Sequence, residues 1–102
     1  MRVYVSGRIK DYPEHQQHFL QGCGVMRDAG HDPVNPCDLD HEPGATYEDF
    51  MREDLRALLD CQAIFMLDGW EKSVGARTEH LVACMIGLKL WYENAPYVEL
   101  VG

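Results

Sequence analysis

Residues 61–67 read CQAIFML, an almost unbroken apolar run closed by Asp68, Gly69 and Trp70. A run of this length and composition suits a central strand of a parallel sheet, where helices cover both faces and neither alternates with water. Downstream, residues 73–88 predict a helix. Upstream, Thr46 with Asp49 forms a capping-box pattern, and Tyr47, Phe50, Met51, Leu55 and Leu58 recur at helical spacing behind it. The segment 46–88 therefore reads as helix, buried strand, helix.

The same alternation extends to the N-terminal side. Residues 2–6 (RVYVS) form a short β-rich run ended by Gly7. Asp11, Tyr12 and Pro13 predict a helix entry, Phe19, Leu20, Cys23 and Met26 give its apolar spacing, and Gly30 its stop. Gly22 and Gly24 weaken that helix. Residues 31–35 predict a second strand broken by Pro36. Residues 36–45, with two prolines, one glycine and three acids, predict a loop and candidate flap. Residues 90–92 resume a strand pattern, and 97–101 read as one last edge strand. The order β-α-β-loop-α-β-α-β implies an α/β fold with helices on both faces of a sheet of four or five mainly parallel strands, in one domain spanning 1–102. Ligands in such sheets sit beyond the carboxyl ends of the strands.

Composition narrows the function classes. The chain has 102 residues, 46% of them hydrophobic, and nine Lys and Arg against seventeen Asp and Glu give a net charge of −8. That surface repels duplex phosphate, and no basic run offsets it, so a nucleic-acid polymer is not the expected partner. No stretch approaches the ~20 apolar residues of a membrane span, and the opening strand leaves no room for a signal peptide. A cytoplasmic protein is expected. Cys23, Cys61 and Cys84 read as small buried hydrophobes. Cys37 and His41 make only half of a zinc site, so no metal is expected. The five histidines read as surface or capping residues.

Three segments that follow strands converge at the carboxyl end of the sheet: 6–10, 35–45 and 68–79. In the third, Ser73 precedes Val74, Gly75 and Ala76 at a helix start. Its hydroxyl is a good N-cap, and first-turn amides beside a glycine suit an anion; an ordinary capped helix fits the same residues. Glu79 shares a helical face with Ala76, Ala83 and Ile86, so its carboxylate is either partly desolvated beside the sheet or an exposed first-turn acid favoured by the dipole. Asp54 falls within the apolar stripe of its helix, four residues after Phe50 and four before Leu58. It is either a stripe-edge residue or a second inward carboxylate, the pair used to cleave glycosidic bonds. Tyr4 is core, or a hydroxyl that orients a carboxylate. Trp70 stacks on a base or seals the sheet edge.

The runs VYVSGRI, VNP, EDL and LDGWEKSVGARTEH, spread from Arg2 to about Leu90, resemble the nucleoside 2-deoxyribosyltransferase-like superfamily, and most closely a short bacterial and phage branch related to deoxynucleoside 5′-monophosphate N-glycosidases. The resemblance implies a flavodoxin-like (Rossmann-like) three-layer sandwich, no metal or organic cofactor, a nucleotide or nucleoside substrate, and a homodimer or larger homo-oligomer. It implies that Glu79 is the nucleophile at the anomeric carbon, Asp54 the acid assisting the leaving base, and Tyr4 the group orienting Glu79. Gly7, Arg8 and Ile9 match the first glycine loop, and Gly75 and Ala76 the second. Transferases acting on free nucleosides tend to have an aspartate at the position of Ser73; the monophosphate hydrolases resemble this chain in having serine, which favours hydrolysis over transfer. Arg8 stands where the related branch has proline, and either clamps a phosphate or obstructs the pocket. Lys10 is a second phosphate candidate, and Gln62 replaces a frequent aspartate. The expected activity is N-glycosidic cleavage or base exchange on a (deoxy)nucleoside 5′-monophosphate; the rival is a non-catalytic nucleotide sensor or sequestering protein.

Overall fold

The computed structural model describes residues 1–39 and 41–94. Strand β1 (Arg2–Ser6) is followed by helix α1 (His15–Asp28), strand β2 (Asp32–Val34), a 3-10 turn (Pro36–Asp38), helix α2 (Tyr47–Leu59), strand β3 (Ala63–Met66), a second 3-10 turn (Trp70–Lys72), helix α3 (Val74–Met85) and strand β4 (Lys89–Tyr92). The four strands form one parallel sheet in the order β2-β1-β3-β4. This is the expected α/β architecture. The strand expected at 97–101 lies outside the described residues.

Alternation along the strands separates two cores. Val3, Val5, Phe65 and Leu67 pack with Phe19, Cys23 and Met26 of α1 on one face. Tyr4, Ile64 and Met66 pack on the other with Leu58 of α2 and with Ala76 and Ala83 of α3. All four residues of β3 are buried, as the 61–67 run predicts. Pro33, which donates no backbone hydrogen bond, falls on the edge strand β2, where that loss is tolerated.

Helix boundaries follow local chemistry. Thr46 and Asp49 form the reciprocal capping box: Asp49 N donates to Thr46 Oγ1 at 3.2 Å and Thr46 N to Asp49 Oδ2 at 2.9 Å. Helix α1 starts later than Asp11–Pro13 suggested. Asp11 has φ 59°, a left-handed conformation that a helix cannot continue through, and Tyr12 N and His15 N close two turns onto Ile9 O and Tyr12 O. Gly22, read as a weakness, is a packing requirement: a Cβ there would lie 2.6 Å from Leu67 Cδ2. Two side-chain expectations are corrected. Cys84 is exposed, because it lies on the outer face of α3, and the histidines are not simply surface groups. His18 Nε2 meets Glu93 Oε1 at 2.7 Å, and His80 Nε2 meets Tyr92 Oη at 2.7 Å.

Candidate active site

In the order β2-β1-β3-β4 the chain leaves β1 toward one side and reaches β3 on the other, so the crevice beyond the ends of β1 and β3 is the switch point of the sheet. Tyr4 and Ser6 are two residues apart on β1 and share the face covered by α2 and α3. Helix α3 approaches that face closely because its inward residues are small: Ala76 and Ala83 are 2% and 0% exposed. Glu79 lies between them, on the same face and 5% exposed.

Both carboxylate oxygens of Glu79 are engaged. Tyr4 Oη donates to Oε2 at 2.7 Å, and Ser6 Oγ donates to Oε1 at 2.6 Å. Burial pushes the Glu79 carboxyl up to about 7; the hydrogen bonds from Ser6 and Tyr4 pull it back, and the charge of Asp54 adds to the rise. Burial likewise raises the Tyr4 hydroxyl well above its ordinary range, followed by the charges of Glu79 and Asp54, so Tyr4 remains a neutral donor. Asp54 projects from α2. Burial pushes it up to about 6, His41 acts against that rise, and Glu53 adds to it. Its buried Oδ1 has no hydrogen-bond partner among the described residues. The site thus holds two partly desolvated carboxyls in mutual electrostatic reach, one clamped by two hydroxyls and one unclamped.

Ser73 caps α3: Ala76 N donates to Ser73 Oγ at 3.1 Å, and Arg77 N to Ser73 O at 3.0 Å. Those bonds leave Val74 and Gly75 as the first-turn amides not taken by the cap. The methyl of Ala76 is core. The missing side chain of Gly75 faces Tyr47 Oη and Met51 Sδ, each 3.4 Å from where a Cβ would stand. Gly75 therefore lets α2 and α3 approach one another, and any anion would meet the backbone amides rather than that side. Gly7 is required by a different neighbour, since a Cβ there would lie 3.0 Å from Leu67 Cβ.

Arg8 Nη2 donates to Asp11 O at 3.0 Å, with the guanidinium 5.6 Å from the centroid of the Tyr12 ring. With Tyr12, Asp68, Gly69, Glu71 and Lys72 it lines an open depression of about 480 Å³. Neither Glu79 nor Asp54 lines this depression. Ile9 and Lys10 are exposed beside it in sequence. Trp70 packs against His80 at 4.5 Å between ring centroids and lies 6.3 Å from Tyr92, so it joins an aromatic stack against the core of that face. Among the described residues no group of three or more His, Cys, Asp or Glu side chains could hold a metal ion. No helix among them is long and apolar enough to cross a membrane.

Residues 1–92 match the family described as Domain of unknown function (DUF4406). The chain belongs to that family. Among solved structures, the DUF4406 chain is similar to a 2-deoxyribosyltransferase from the psychrotolerant bacterium Bacillus psychrosaccharolyticus, with TM-score 0.73 and 18% identity, over 90% of this chain and 71% of that one. At that identity the likeness establishes the fold. No curated protein matches the sequence.

Two members of the constellation escaped the sequence reading. Ser6 was legible in principle, since it lies two residues after Tyr4 on a short strand and must share its face. His41 was not, because a loop residue carries no periodicity to place it.

Proposed function

We propose that this DUF4406 chain cleaves, or exchanges, the N-glycosidic bond of a (deoxy)nucleoside 5′-monophosphate through a glycosyl ester on Glu79. The observation that carries this reading is the buried Glu79 carboxylate held by Tyr4 Oη and Ser6 Oγ, with a second desolvated carboxyl, Asp54, in electrostatic reach. The fold shared with a protein described as a 2-deoxyribosyltransferase supports it.

In the first step a Glu79 oxygen attacks the anomeric carbon. The C–N bonding pair leaves with the base, which takes the proton of Asp54. The two hydroxyls fix the carboxylate, one on each oxygen, so one bonds the attacking oxygen and the other holds the oxygen that does not attack. In the second step water, or a second base, attacks the same carbon; Asp54 accepts the incoming group's proton, and Glu79 departs with the C–O pair. The amides of Val74 and Gly75, with Ser73, hold the 5′-phosphate, and Arg8 and Lys10 supply positive charge nearby. Ser73 carries no charge to repel that phosphate, which favours a monophosphate over a free nucleoside and hydrolysis over transfer. The resemblance to the short N-glycosidase-related branch points the same way. The carboxyls and hydroxyls carry both steps without a metal or cofactor. A homodimer acting in the cytoplasm completes the proposal.

A non-catalytic nucleotide sensor or sequestering protein is the second reading, favoured by one observation: a Glu79 carboxyl pushed up to about 7 is half-protonated at neutral pH, and a protonated carboxyl is no nucleophile. Free base measured after incubation with a panel of deoxy- and ribonucleoside 5′-monophosphates separates the two. The enzyme reading predicts release that Glu79→Gln abolishes. Thermal stabilisation by a nucleotide with no release from any of the panel would retire it in favour of the sensor.

A further inference from the structure

His41 Nδ1 and Asp54 Oδ1 are buried side-chain polar atoms without a hydrogen-bond partner among the described residues. Such atoms are uncommon in folded proteins and call for a cause. Here the two belong to groups that act on one another electrostatically. The His41 ring meets the Phe50 ring edge-on, with centroids 4.2 Å apart and planes at 68°. Phe50 is one helical turn before Asp54, so one face of α2 carries both the ring that holds His41 and the carboxyl.

The titratable groups that act electrostatically with Asp54 come from every element around it. They are Glu53 on α2, Glu79 on α3, Tyr4 on β1, Cys37 on the first 3-10 turn, and His41 from the loop before α2. His41 alone among these can carry a positive charge, and it is the influence that opposes the rise of the Asp54 carboxyl.

We infer that His41 is a positioning residue for Asp54, its ring facing and stabilising the carboxylate that remains when the Asp54 proton leaves with the base. The inference rests on the reading of Glu79 and Asp54 proposed above. Asp54 gives one proton to the leaving base and recovers one from water in the second step, so His41 stabilises the charge between the two events and adds no proton of its own.

The test compares wild type with His41→Phe, which preserves a buried ring against Phe50 and removes both nitrogens. Carbon-13 carboxyl NMR, with Asp54 assigned through Asp54→Asn, reads the Asp54 titration in the unliganded protein. The midpoint is expected to rise by roughly 0.5–1 pH unit in His41→Phe, and the acid limb of the base-release profile, which follows the lower value of the pair, to rise with it. A ring that merely fills space predicts no shift, and a loosened loop that admits water predicts a fall; either result overturns the inference. A raised midpoint with an unmoved base-release limb also overturns it. Wild-type protein that releases no base from any nucleotide defeats the glycosidase reading instead, and the NMR titration still shows whether His41 and Asp54 are paired.

Discussion

Tyr4 Oη and Glu79 Oε2 lie 2.7 Å apart although 75 residues of chain separate them. The contact joins the middle of β1 to the second turn of α3, and Ser6 adds a second bond 2.6 Å long to the other oxygen. Each hydroxyl favours the ionised form of Glu79 against a burial that opposes it. Tyr4→Phe or Ser6→Ala should therefore raise the Glu79 midpoint and, because that is the higher value of a pair in which Asp54 must stay protonated, move the alkaline limb of kcat/KM to higher pH while lowering its maximum. Each should lower activity at neutral pH roughly 10–100-fold, the equivalent of a hydrogen bond to a charged group. The two losses should not add, because both act through one carboxylate. Steady-state base release across pH for the two single variants and the double variant checks this.

The pair of carboxyls sets the shape of the pH profile. The proposed mechanism needs Asp54 protonated, with its midpoint at about 6, and Glu79 ionised, with its midpoint at about 7. Only a minor fraction of the protein holds that combination, and it peaks between the two values. A narrow bell with its maximum between pH 6 and 7 is expected for kcat/KM, the limbs belonging to the coupled pair. Asp54→Asn should abolish the descending limb along with most of the rate.

Glu79 also links stability to pH. Its folded-state value, about 7, lies above the ordinary 4.5, so across that window the native protein binds more protons than the unfolded chain. Stability therefore falls as pH rises from about 4.5 through 7, by up to about 3 kcal/mol from this group. Glu79→Gln should flatten that part of the curve and be the more stable protein at pH 8. Urea unfolding of both proteins at pH 5 and pH 8 reads the difference.

Much of this arrangement was legible in the sequence, for identifiable reasons. The 61–67 run marked the central strand because a strand covered on both faces shows no alternation. Glu79 stood out because its helical neighbours toward the sheet are alanines, and Asp54 because it interrupts an apolar stripe. What the sequence concealed depends on partners distant in the chain. Gly22 read as a helix defect until Leu67 was seen packed against it, and Gly75 read as an opening for an anion until Tyr47 and Met51 were found facing it. The start of α1 was misplaced because proline in a first turn is a weaker signal than a left-handed Asp11 two residues before it.

The two helical glycines make opposite predictions. A Cβ at position 22 would lie 2.6 Å from Leu67 Cδ2, whereas one at position 24 meets nothing within 4 Å. Gly22→Ala should destabilise the fold by about 1–3 kcal/mol through overpacking. Gly24→Ala should stabilise it by up to about 1 kcal/mol through helix propensity. Chemical denaturation of the two variants tests the packing of α1 independently of any activity.

Ser73 bears on the choice between phosphorylated and free substrates. Ser73→Asp keeps a good N-cap while placing a negative charge at the α3 terminus, so the fold should be little affected. Its kcat/KM for a monophosphate should fall roughly 10–100-fold relative to that for the matching nucleoside, as a charge-assisted contact is replaced by repulsion. An unchanged ratio would place the phosphate elsewhere.

The central claim is that Glu79 becomes covalently attached to the sugar. Wild-type protein mixed with a deoxynucleoside 5′-monophosphate, quenched in acid within the first turnover and digested, can be read peptide by peptide in a mass spectrometer. The account predicts a deoxyribose-phosphate mass increment on the peptide that carries Glu79, absent from Glu79→Gln. Base release at full rate with no adduct on that peptide, or release that survives Glu79→Gln, would contradict it.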